Sequence, residues 1–220
     1  VLPQEEGKPT MLVIPTSLQM GWVESPAFFC AASETGRDVA VKYAECPVGS
    51  LPDHKFLKYA MDGKDVAALP KDRQTAEQQD NGFRYFIDVY VDDYIPICIP
   101  TCQEDLRHVT NATLYGIHDV FPEDEVDDSE DPISEKKAKK REGQWALEKQ
   151  ALGFDFDGDQ YKHTMILAQG KLEVVLATLH KWIRAARNST KAGIPFAEFY
   201  SMISRLRHAF IALPAGKGFM

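Results

Sequence analysis

Asp92 and Asp93 stand together inside the stretch RYFIDVYVDDYIPICI, residues 84–99. Two carboxylates in succession offer the hard oxygen ligands that Mg²⁺ takes. By itself an Asp pair is an ordinary turn composition. The flanks change that weighting. Phe86, Val89, Tyr90 and Val91 on one side, and Tyr94, Ile95, Ile97 and Ile99 on the other, are strand formers, so the stretch reads as a β-hairpin with the acids at its tip. Arms this apolar predict buried strands. Carboxylates fixed against a buried body are costly unless a cation neutralises them.

The elements that must position this tip follow from periodicity and punctuation. Met11-Leu12-Val13-Ile14 reads as a short strand ending at Pro15. Ser25-Pro26 suits the N-cap and first position of a helix running to about Tyr43. Phe28, Phe29, Ala32, Val39 and Tyr43 are its candidates for burial, and Gly36 weakens it near the middle. Residues 45–82, rich in Pro, Gly, Asp and Lys, read as a surface insertion with a short helix near 55–61. Residues 102–121 read as a helix with Leu106, Val109, Ala112 (or Thr113), Ile117 and Val120 at helical spacing. Residues 122–142 pass from an acidic run to a basic one and read as a solvated, charge-paired segment. Residues 152–167 read as a second hairpin turning near Asp157-Gly158. The string DFDGD there lacks the glycine position and closing Glu of a calcium loop. Two amphipathic helices follow. Their apolar stripes are Leu172, Leu176, Leu179, Ile183 and Ala186, then Phe196, Phe199, Ile203, Leu206 and Phe210, with Arg205 and His208 off the second stripe.

Composition narrows the classes. The chain has 220 residues, 44% hydrophobic and 26% charged, which is enough to build a core and argues against wholesale disorder. No apolar run approaches the ~20 residues a membrane span needs, and no signal peptide is visible at the start of the sequence. Net charge is −8, yet residues 171–220 hold eight Lys/Arg against two acids. An acidic body with a basic C-terminal part suits metal ions at one end and a polyanion at the other. Cys30, Cys46, Cys98 and Cys102 form no metal or disulfide framework and are expected reduced and mostly buried, in an intracellular compartment. The six histidines show no ligand spacing and receive no role.

Tyr90-Val91-Asp92-Asp93 resembles the YxDD box of reverse transcriptases. Upstream, Gly21-Trp22-Val23-Glu24-Ser25-Pro26-Ala27-Phe28-Phe29 resembles the G-x-x-x-SPxxF box that precedes it, and Leu152-Gly153-Phe154 resembles the LG-containing primer-grip region. The resemblance runs from about Thr10 to the end of the chain and is nearest to the enzymes of retroviral-like retrotransposons. It implies an α+β fold: a palm of antiparallel sheet packed on helices over residues 1–167, with insertions at 45–82 and 122–142. A helical thumb at 168–220 would follow, with fingers largely absent. It implies RNA-directed DNA polymerase activity by two-metal nucleotidyl transfer, with Mg²⁺ (or Mn²⁺ in its place) held by Asp92 and Asp93. Tyr90 would touch the primer end. Gln19, Met20 and Gly21 would line the nucleotide, and Lys149 would match the family's proton-donating lysine. Lys181, Arg184, Arg187 and Arg205 would face the phosphates of a template-primer duplex. dNTPs complete the implied partners, and no membrane is among them.

The family's site also uses a third carboxylate from a strand before the Gly21 box. Here it is expected upstream of Val1, in the remainder of a polyprotein, so these 220 residues are expected to be inactive alone. The alternative is a non-catalytic remnant or domesticated nucleic-acid-binding domain. A more distant one is an unrelated α+β interaction domain in which Asp92-Asp93 is only a turn.

Overall fold

The computed structural model describes residues 25–72, 83–123, 131–159, 162–188 and 193–212. The Met11–Ile14 strand expected from the sequence lies outside them. The chain is α+β, with two small antiparallel sheets and several helices, and it divides into two compact units, Val1–Trp145 and Ala146–Met220.

The first unit is built on a helix pair. α1 (Ser25–Ala44) is helical from the first described residue, Ser25. After α2 (Leu57–Met61), α3 (Lys64–Ala67) and the β1–β2 hairpin comes the second member of the pair, α4 (Gln103–Val120). The buried line of α1 is Ser33, Gly36, Ala40 and Ala44, whereas Phe28, expected inside, is 56% exposed. The small residues win because the backbones approach closely. A Cβ on Gly116 of α4 would lie 2.6 Å from the backbone nitrogen of Ala40 and 2.7 Å from the carbonyl oxygen of Gly36. Gly36, which by propensity alone weakens the helix, leaves room for the Tyr94 hydroxyl to donate to the Ser33 carbonyl at 2.9 Å.

β1 (Arg84–Tyr90) and β2 (Asp93–Ile99) pair antiparallel with Tyr90 opposite Asp93 and Ile87 opposite Pro96. Period-2 alternation turns Tyr85, Ile87, Val89, Tyr94, Pro96 and Cys98 to one face. Ile87 joins Ala40, Ala44, Val109 and Ala112 in the core. The other face is open, with Phe86 58% exposed and Tyr90, Ile97 and Ile99 exposed as well. The hairpin is therefore buried on one side and not on both, as its composition had suggested.

α4 carries polar side chains inside. Cys102 is its N-cap, and the buried Asp105 accepts from the amides of Thr101 (2.7 Å) and Cys102 (3.3 Å) and from the Thr101 hydroxyl (2.7 Å). Asn111 accepts the His54 amide at 3.1 Å, and Thr110 accepts the Trp145 indole N–H at 2.8 Å. Part of the presumed 45–82 insertion is thus core: His54, Phe56, Leu57, Ala60 and Val66 are buried. α5 (Glu135–Lys139), inside the charged 122–142 stretch, is capped by Ser134 and bears a Glu135–Lys139 ion pair at 2.9 Å. All four cysteines are free. Only Cys102 is fully buried, and burial, with Asp105 and Cys102 nearby, pushes the Cys98 thiol up to about 12.

The second unit joins a three-stranded sheet to the last two helices. β3 (Glu148–Ala151), β4 (Phe154–Asp159) and β5 (Lys162–Leu167) pair in order. The β3–β4 turn falls at Leu152-Gly153, both at positive φ (51° and 78°). The expected 152–167 hairpin is the β4–β5 pair, whose first strand runs through Asp157-Gly158 to Asp159 and whose second begins at Lys162. Gly158 lies within β4 and its amide donates to the Leu147 carbonyl at 2.8 Å. α6 (Gln169–Asn188) and α7 (Phe196–Ala212) follow. The expected stripes are displaced. Val175 is the buried residue of α6 while Leu176 and Ile183 are exposed, and α7 buries Met202 and Ala209 while Phe196 is 80% exposed. His208, read as off the stripe, stacks on Phe154 with ring centroids 4.5 Å apart and donates from Nε2 to the Leu152 carbonyl at 2.9 Å. The shared core of Phe154, Leu167 and Ala209 puts this sheet with the helices, so the unit begins at Ala146 and not at 168.

Replacing Gly116 by Ala tests the helix pair. Overpacking against backbone costs ~1–3 kcal/mol and helix propensity returns ~1. Because the clash is with backbone atoms that cannot turn aside, the cost stands toward the upper end, and the expected net loss of about 2 kcal/mol is read as a lower denaturant midpoint; an unchanged or higher midpoint would refute the close approach.

Candidate functional site

The apex of the β1–β2 hairpin is a two-residue loop, Val91-Asp92, closed by the Tyr90–Asp93 pair. Val91 has φ +60° and Asp92 does not have a positive φ, the sign pattern of a type II′ turn, which matches strand twist and ordinarily takes Gly at its first position. A β-branched residue there is an outlier. Asp92 occupies the loop and Asp93 opens β2, so the two carboxylates differ in backbone setting although adjacent in sequence. Both are exposed. That removes the argument from desolvation: carboxylates in water need no cation to offset burial. Among the described residues the apex is not covered by other chain.

Asp93 and Tyr90 share the open face of the hairpin with Asp88, Phe86, Ile95 and Ile97. Asp88 is met by Arg37 of α1 at 3.4 Å, and the same guanidinium holds Asp38 at 2.8 Å. Gln19, Met20 and Gly21, the expected nucleotide-lining residues, lie outside the described residues.

In the second unit Arg184, Arg187 and Arg205 are exposed. Lys181 instead pairs with Glu198 of α7 at 2.9 Å, and the Trp182 indole N–H donates to the same oxygen at 2.9 Å. The Lys181 charge therefore ties α6 to α7. Lys149 lies on β3 opposite Phe156.

A second cluster involves histidines that spacing had left without a role. His118, in the last turn of α4, has Nδ1 3.0 Å from His54 Nε2 and 3.2 Å from Glu123 Oε1, while its Nε2 is 3.2 Å from Asp131 Oδ1. Lys55 Nζ is 2.8 Å from Glu123 Oε2 and 2.6 Å from Asp131 Oδ2. Burial, then the neighbouring His118 and Lys55, pushes His54 down to about 4. Burial works to raise the Asp131 carboxyl, but Lys55, the Ile133 amide and His118 hold it below the ordinary carboxylate range. His54 and Lys55 come from one presumed insertion, Glu123 and Asp131 from the other. These ligand types sit 64 and 13 residues from or near His118 in the chain, so no local motif could have revealed them.

Comparison of the chain with protein-family models, curated proteins and solved structures finds no match.

Val91→Gly tests the strained apex. Left-handed strain in a bulky residue costs ~1–3 kcal/mol, so its relief is expected to raise stability by about 1 kcal/mol after the entropic cost of glycine. A drop in the thermal midpoint would refute the strain.

Proposed function

We propose that the chain is the palm-and-thumb part of an RNA-directed DNA polymerase of the retroviral-like retrotransposon kind. The observation that supports this best is the hairpin apex. A turn with Val91 at φ +60° offers two successive carboxylates to solvent, beside an open face bearing Phe86 and Tyr90. A hairpin whose only task is to reverse the chain has Gly or Asn available at that position; strain retained in a bulky residue is characteristic of functional turns.

In this reading Asp92 is a direct ligand of the catalytic Mg²⁺ ions and Asp93 supports the same cluster. Mg²⁺ held there would supply activation of the primer 3′-hydroxyl and charge neutralisation at the triphosphate. The transfer is in-line, so positioning and charge neutralisation do most of the catalysis. Tyr90, exposed on the face it shares with Asp93, meets the primer end. Arg184, Arg187 and Arg205 contact duplex phosphates without reading sequence; Lys181, neutralised by Glu198, contributes less than they do. The third carboxylate comes from residues preceding the Gly21 box. The exposure of both acids favours one other reading, a non-catalytic nucleic-acid-binding remnant that keeps the fold.

Two measurements test the metal role of the apex and the expected incompleteness of the ligand set. Mn²⁺ added to the isotope-labelled chain is expected to broaden the amide signals of Val91–Tyr94, and Asp92→Asn to abolish that broadening while leaving other signals unaltered. Equal broadening in the variant, or none in the wild type, would leave the pair as a turn. Primer extension on an RNA template with Mg²⁺ is expected to yield no product from these 220 residues, and robust extension would show that they hold the complete ligand set.

A further inference from the structure

His118, Glu123 and Asp131 present ligand atoms that all lie within 4.8 Å of one another. The hydrogen bonds around them dictate where the protons are. The Phe56 amide donates to His54 Nδ1 at 3.2 Å, so the His54 proton is on Nε2, aimed at His118 Nδ1. The proton of a neutral His118 is then on Nε2, aimed at Asp131 Oδ1. Glu123 Oε1 consequently faces, at 3.2 Å, a ring nitrogen with no proton to give it. Two carboxylates are balanced by a single ammonium, Lys55, at the C-terminal end of α4, where the helix dipole adds further negative potential. Lys55 Nζ touches one oxygen of each carboxylate, the position a bridging cation takes, and its side chain is 47% exposed on a flexible stem that can withdraw to water.

We propose that His118, Glu123 and Asp131 form a binding site for a divalent transition-metal ion of the Zn²⁺ class, with Lys55 as the internal cation it displaces. The donor set of one imidazole and two carboxylates suits that class, while all-oxygen sites suit Mg²⁺. The His54 Nε2–H occupies the His118 Nδ1 lone pair, so an ion bound at Nδ1 replaces that bond as well as the Lys55 contacts. The ion would clamp Glu123 and Asp131 to the end of α4. This site is independent of the Asp92-Asp93 apex and of the polymerase reading.

Co²⁺ titration of the full chain, followed by visible absorption, tests it. Saturable one-to-one binding is expected, competed by Zn²⁺ and unchanged in Asp92→Asn. Lys55→Met is expected to tighten binding. His118→Ala, its fold checked by circular dichroism, is expected to lose it. Binding retained in a folded His118→Ala would assign the ion elsewhere and overturn the proposal. The absence of saturable binding in both wild type and Lys55→Met, neither of which removes a ligand, would overturn it too.

Discussion

The first unit depends on the closeness of two helix backbones. Gly36 and Ala40 of α1 lie against Gly116 of α4 with no space for a further carbon, so the two helices form one rigid platform. On that platform the hairpin is laid through Ile87, and the gap at Gly36 admits Tyr94 to the Ser33 carbonyl. The position of the hairpin apex is therefore set from below, by small residues of α1 and α4 and by one aromatic side chain of β2.

α4 is buried around much of its circumference, which obliges its polar residues to find partners. Asp105 binds the amides at its own N-terminus, Asn111 receives the His54 amide, Thr110 receives the Trp145 indole, and His108 donates from Nε2 to the Ala44 carbonyl at 3.1 Å. A carbonyl only accepts, so that bond also fixes the His108 tautomer. Each of these bonds satisfies a group whose burial would otherwise be costly, and the last three each recruit a different segment of chain. The segment around residues 53–61 becomes part of the core in this way. His118, nearer the end of the same helix, gathers the charged groups that the core excludes.

The hairpin apex and the His118 cluster show opposite electrostatic solutions. At the apex, water solvates both carboxylates and the strain sits in the backbone of Val91. Around His118, Glu123 and Asp131 are held by Lys55 and by imidazole nitrogens, and the Asp131 side chain is 12% exposed.

Local order was legible in the chain. Period-2 alternation and the Asp pair placed the β1–β2 hairpin and its tip, and the spacing of Leu106, Val109 and Ala112 placed α4. These depend on backbone preference and on neighbours a few residues away. Burial was a different matter. Phe28 lies outside and Gly36 inside because α4 approaches α1. One face of the hairpin is open although its residues are apolar. The second sheet has a third strand, β3, ahead of the expected hairpin because the chain reverses at Leu152-Gly153, and His208 turns inward because Phe154 is there to stack on. The meeting of His54, Lys55, Glu123 and Asp131 around His118 likewise had no local signature. Side-chain spacing encodes which faces an element has; which of them is covered depends on segments brought together by folding, and that is decided only by tertiary packing.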